Sequence, residues 1–240
     1  EASDAVGSRV RTDLVDGFVL DRGFQIFITA YPEARKLLHY PELDLCKFYS
    51  GARVYFDGRF HTVADPLRHF SDSVQSLTNP IGSVLDKLLI GSTRLGVLTK
   101  SEDQIFRSDE IPTSELLKRI GFSDSIIRRF FKPFFGGIFF DPELETTSRL
   151  FEFIFKCLAL GENTLPAKGI GAIPRQLASK LPPGSILLNS KVASINIEES
   201  SLRLDSGEIF QSEFGLILAV DEPQSMNLLA REKEQDITVR

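Results

Sequence analysis

The sequence opens on EASDAVGSRVRTD, which sets the carboxylate of Glu1 ahead of Gly7, Ser8 and Arg9. A carboxylate accepts hydrogen bonds from two adjacent hydroxyls at once. Dinucleotide-binding folds use an acidic residue in this way to hold a ribose, about twenty residues after a Gly-rich loop. By position alone Glu1 reads as a solvated terminus; Gly7, Arg9 and the order of the downstream segments favour the ribose reading. Arg11 has two readings that sequence leaves open: a phosphate contact, or a surface pair with Asp13 or Asp16.

Other reactive side chains are sparse. The three histidines, His39, His61 and His69, lack metal-ligand spacing, and Cys46 and Cys157 lie far apart. No metal site and no disulfide framework is expected, and the cysteine usage suggests a reducing compartment. No acid–base pair stands out, so no catalytic side chain is nominated. The chain holds 20 Phe and no Trp, and the Phe crowd into residues 122–155. The segment RRFFKPFFGGIFFDP reads as core, as the wall of an apolar pocket (Phe134, Phe135, Phe139 and Phe140), or as an exposed patch that docks on a membrane. Pro133 and the Gly136-Gly137 pair are expected to break a helix inside it.

Periodicity supplies the elements that position these groups. DGFVLDRG reads as a hairpin or bend, and residues 30–38 as a short helix. ARVYFDGRFHTV is a hairpin turning at Asp57-Gly58. From 66 to 162 apolar residues recur at helical spacing: DPLRHFSDSVQSL, PIGSVLDKLLIGSTRLGVL, PTSELLKRIGF, DSIIRRFFKPFF and SRLFEFIFKCLALG. PAKGIGAIPRQLASKL is a Gly-rich entry to a helix. SILLNSKVASINIEE reads as a strand pair, and SLRLDSGEIFQSE as two strands around Ser206-Gly207. FGLILAV reads as a buried strand of a parallel sheet. Strand-type sequence thus flanks a helical insert, an α/β pattern.

At 240 residues, 42% hydrophobic and 25% charged, the chain has the composition of a folded globular protein. A net charge of −5 argues against nucleic acid as a partner. No run of eighteen apolar residues occurs in these 240 residues, so none of them is expected to span a membrane as a helix.

Glu1, Ala2, Gly7 and Arg9 resemble the second FAD-binding signature of the flavin amine oxidase and phytoene desaturase superfamily. Ser8 stands where that signature has a second Gly. Asp21, Gly23, Phe24 and Gln25 resemble the stretch that runs beneath the flavin ring. LPAKGIGAIPRQLASKL resembles the Pro-x-Gly-Gly-Met-Gly segment of the desaturase branch, with Lys168 and Ile170 departing from it. ILLNSKVASINIE resembles the strand whose valine, here Val192, holds adenine through its backbone. GLILAVDEPQSMNLL resembles the strand and helix that follow.

The resemblance implies FAD as cofactor, with Glu1, Ala2, Gly7, Ser8, Arg9, Gly23, Phe24, Gln25 and Val192 binding it. It implies a discontinuous Rossmann-like FAD-binding domain, residues 1–30 and 164–240, interrupted by a mainly helical substrate domain, 31–163. The expected activity is hydride removal from, or desaturation of, a small apolar substrate. The family's Gly-x-Gly-x-x-Gly loop and C-terminal flavin motif have no counterpart here, so the chain reads as the middle of a longer enzyme and is expected to be inactive by itself. The competing reading is a truncated module that binds an apolar ligand or partner without FAD. Plastid placement follows only from the resemblance to plant desaturases.

Overall fold

In the computed structural model, residues 1–23, 26–64 and 79–238 are described, with the backbone alone for 64 and 231–238. The chain divides into two compact units: Glu1–Phe24 with Lys168–Arg240, and Gln25–Ala167. Sequence drew the divisions at 30 and 163.

The first unit begins with strands β1 (Thr12–Val15) and β2 (Phe18–Asp21), paired antiparallel with Thr12 opposite Asp21. Asp16 and Gly17 both take positive φ (50° and 82°), the backbone that a two-residue hairpin turn requires.

The second unit opens with β3 (Phe27–Ile28), α1 (Pro32–Leu37), α2 (Tyr40–Leu43) and β4 (Leu45–Lys47). Pro32 sits in the first turn of α1, where its missing N–H costs nothing. Strands β5 (Gly51–Phe56) and β6 (Arg59–Ala64) form the hairpin expected at Asp57-Gly58. The segment DPLRHFSDSVQSL, expected to be helical, lies outside the described residues. Helices α3 (Val84–Thr99), α4 (Glu102–Phe106) and α5 (Thr113–Ile120) follow. Ser83 and Ser101 open the first two with reciprocal caps to Asp86 and Gln104. Then come α6 (Asp124–Ile126), one wide π turn (Ile127–Phe131), α7 (Lys132–Phe139), α8 (Ser148–Leu160) and strand β7 (Asn163–Pro166). β7 pairs antiparallel with both β3 and β4 and so closes the unit onto its own start.

The expected break at Gly136-Gly137 does not occur; α7 runs through both glycines. Pro133 is accommodated differently. It falls in the first turn of α7, directly after the π turn, where the widened backbone shifts the register ahead of the proline ring.

The Phe density builds this unit's core. Phe131, Phe135 and Phe151 are at most 1% exposed and cluster with Leu117, Ile126 and Leu144. Phe135 and Phe151 meet edge to face at 4.8 Å, and Phe151 stacks on Phe155 at 5.6 Å. Such pairs add about 1 kcal/mol each beyond the area they bury.

The chain then returns to the first unit with α9 (Ala172–Ala178), β8 (Val192–Asn196), β9 (Ser201–Leu204), β10 (Ile209–Gln211) and α10 (Glu222–Thr238). The three strands form an antiparallel sheet in the order β10-β9-β8. Two expectations are corrected here. The stretch SILLNSKV contributes no strand before β8; its backbone instead bonds to the start of the chain, Glu1 N to Leu187 O at 3.0 Å and Ser190 N to Glu1 O at 2.8 Å. FGLILAV is neither strand nor buried: Phe214 and Ile217 are 99% and 92% exposed. A parallel-sheet strand needs ladder partners, and among the described residues none pairs with it.

Candidate functional site

Two glycine-bearing segments of the first unit converge on the start of α9. The first is the turn at residues 7–10, closed by Val10 N donating to Gly7 O at 2.7 Å. Gly7 has φ 107°, and a Cβ there would lie 2.5 Å from the Val10 carbonyl and 2.7 Å from Pro174 Cγ. Only glycine lets the turn sit this close to α9. Ser8 follows at φ 46°, a left-handed backbone with the side chain exposed. The resemblance expects glycine at this position, and the backbone shows why.

The second segment is the loop at residues 168–171. Asp21 Oδ1 accepts from Ile170 N at 3.0 Å and from Thr12 Oγ1 at 2.5 Å, while Thr12 Oγ1 accepts from Gly171 N at 2.8 Å. The open ends of both hairpin strands thus clasp the glycine loop. Gly169 has φ 78°, and a Cβ there would lie 2.4 Å from Thr12. Sequence singled out the loop and Asp21, but Thr12 carried no signal.

Glu1 is exposed, with one carboxylate oxygen tied back: Oε1 accepts from Ser3 N at 2.9 Å and Ser3 Oγ at 2.7 Å. These bonds, the backbone one foremost, lower its pKa and keep it ionised. The Ala2 amide adds a weaker contact to the carboxylate. Ser3, two residues on, holds this carboxylate, a contact that sequence reading missed. Ala2 is exposed beside it.

Arg9 is 78% exposed and bonds Asp221 Oδ2 at 2.8 Å through one guanidinium nitrogen. Asp221 also receives Gln224 N, at the start of α10. Of the protein partners expected for Arg11, neither Asp13 nor Asp16 is its main contact. Its guanidinium grips Asp4 at 2.6 and 3.1 Å, with Asp13 at 3.8 Å, because Asp13 is taken by Arg22 at 2.7 Å. The turn at residues 7–10 brings Asp4 back alongside Arg11.

The other expected residues scatter. Gly23 has φ 74° with open space where a Cβ would stand, and Phe24 and Gln25 lie outside the described residues. Val192 begins β8, half-buried, opposite Leu204. In the second unit, Phe135 is 1% exposed among Phe131, Phe151 and Phe155, so its ring is core rather than pocket wall. Phe134 stacks on Phe130 at 5.5 Å, and Phe134 and Phe139 are half-buried on the core's edge. Phe140 is 88% exposed with φ 55°. Among the described residues no cluster of metal ligands occurs.

The chain belongs to the family of flavin containing amine oxidoreductases, whose family model matches residues 1–234. Comparison with the curated proteins found no match. Among solved structures it is similar to the PF1083 protein from Pyrococcus furiosus (17% identity, TM-score 0.64, 95% of this chain and 54% of that one). It is also similar to a putrescine oxidase solved bound to putrescine (19%, TM-score 0.58, 88% and 50%). A protoporphyrinogen oxidase-like protein from Exiguobacterium matches at 19% identity and TM-score 0.57, over 96% of this chain and 55% of that one. These likenesses show the fold, and the chain spans about half the length of each.

Proposed function

We propose that this chain is the cofactor-clasping and substrate-facing part of an FAD-dependent oxidoreductase acting on a largely apolar substrate. The observation that carries the reading is Glu1: one oxygen held by Ser3, the other exposed and ionised. That geometry suits the two adjacent hydroxyls of a ribose, which FAD has in its adenosine half and FMN lacks. The family supports a flavin, and Glu1 favours the dinucleotide form.

The remaining residues fit the same group. Arg9 offers free guanidinium N–H donors to a phosphate, and its pair with Asp221 is exposed and therefore weak, below about 1 kcal/mol. Ser8 and Gly7 set the backbone of that turn, and Val192 offers backbone atoms at the start of β8. A bound flavin supplies a two-electron acceptor for hydride removal. The chain's own part is to orient the cofactor and keep water from the substrate. Phe134, Phe139 and Phe140, together with exposed Ile138, are the apolar contacts the helical unit offers an apolar substrate.

The test is to release the cofactor from the purified protein and identify it. FAD supports the reading; FMN, or protein that folds without any flavin, overturns it.

A further inference from the structure

The β5–β6 hairpin presents a second feature, independent of the flavin reading. Its inner face is fixed: Arg129 lies 4.0 Å over the Phe56 ring and His61 Nε2 is 3.2 Å from the Phe56 carbonyl oxygen. Its outer face is not. Tyr55 and Phe60 stand opposite each other in register and meet edge to face at 5.2 Å, yet are 65% and 66% exposed. Arg53, two residues along on the same face, is exposed; Arg59 is exposed at the turn, in register with Phe56 of the other face. Just ahead in sequence, Phe48 and Tyr49 are 44% and 47% exposed. Residues 47–60 carry Lys47, Arg53 and Arg59 against Asp57 alone, a net +2 in a chain of net −5. Among the described residues none of these three cations pairs with an acid.

We infer that this hairpin is a docking element for an anionic lipid surface. Exposed aromatic rings beside cations that meet no acid among the described residues match the membrane interface, where rings enter the headgroup region and cations meet phosphate. Charge complementarity selects the occupant, since an anionic surface is attracted here and repelled by the protein's net charge elsewhere. Nucleic acid is the weaker fit. Tyr55 and Phe60 close on each other rather than standing apart for a base, and three cations are few beside the six to ten phosphate contacts of a typical complex. Sequence offered the Phe-rich segment for this role, but of its rings Phe131 and Phe135 are buried, Phe130, Phe134 and Phe139 are half-buried, and Phe140 alone is exposed.

The chain has no Trp, so Phe60→Trp installs a single reporter with little change of shape. Mixed with vesicles of phosphatidylcholine and phosphatidylglycerol, the indole emission of this variant should shift to the blue, and salt should reverse the shift. In sedimentation, the unsubstituted protein should pellet with these vesicles and not with phosphatidylcholine alone. Replacing Arg53 and Arg59 by Gln should weaken binding roughly thirtyfold. Unshifted emission from the Phe60→Trp variant, or equal pelleting of the double arginine variant, would overturn the inference. So would retention on a single-stranded oligonucleotide in preference to vesicles.

Discussion

Asp21 accepts a hydrogen bond from the Ile170 backbone amide at 3.0 Å, across 149 positions of sequence. With Thr12 it ties the hairpin to the glycine loop that leads into α9. Asp21→Ala leaves the Ile170 amide and the Thr12 hydroxyl without their acceptor and should cost about 2 kcal/mol. Asp21→Asn keeps an acceptor oxygen and should cost less. Chemical denaturation of the two variants checks the order.

Gly169 and Gly184 both have positive φ, 78° and 82°, but only Gly169 is crowded, by Thr12 and Asp21. Gly184→Ala should cost about 1 kcal/mol for backbone strain alone. Gly169→Ala should cost roughly 3 kcal/mol or more, since the clash is added to the strain. Equal melting temperatures would refute the packing described for the loop.

At Ser8 the direction reverses. Its side chain is exposed and its backbone left-handed, so Ser8→Gly should stabilise the protein by about 1 kcal/mol. Thermal melting reads the gain.

Asp86 is 1% exposed and accepts from the backbone and hydroxyl groups of both Ser83 and Ser123, starting α3 and α6 together. Burial alone would raise its pKa, but these hydrogen bonds win and lower it below 3.8. A lowered folded pKa stabilises the fold above pH 3.8, and the contribution disappears as pH falls through the folded value. Asp86→Ala should therefore cost about 3 kcal/mol at neutral pH. The gap to the unsubstituted protein should narrow on titration into acid.

Phe135→Ala should cost about 4 kcal/mol, as expected for a buried ring in a close-packed cluster. Phe140→Ala should leave stability nearly unchanged and, if Phe140 meets substrate, raise KM for apolar substrates. Comparing melting curves with turnover separates the two rings.

What sequence revealed follows the range of the forces involved. The hairpin at Asp57-Gly58 was legible because that pair fixes its turn locally; the first was read only as a hairpin or bend within residues 16–23, while its turn lies at Asp16-Gly17. The helices opened by Ser83 and Ser123 were legible from apolar spacing and a nearby Ser or Asp, while the short helix capped by Ser101 was not. The π turn before Pro133 was not, since sequence marks the proline but not how the preceding turn yields. Arg11 found Asp4 rather than the nearer Asp13 because a turn and a competing arginine decided it. FGLILAV shows the limit most plainly: apolar content proposes a buried strand, but only a neighbour can make one. In the site, Glu1, the two glycine segments and Asp21 were legible through the family signature. Ser3 and Thr12 were invisible, since a lone hydroxyl has no pattern.

The most direct test of the central claim is FAD affinity with and without the Glu1 carboxylate. Glu1→Gln preserves shape and the bonds to Ser3 while removing the charge. FAD titration followed by flavin fluorescence should show binding weakened about tenfold, the loss of one charge-assisted hydrogen-bond pair, with FMN binding unaffected. Equal FAD affinity in the two proteins would contradict the ribose role and the cofactor reading built on it.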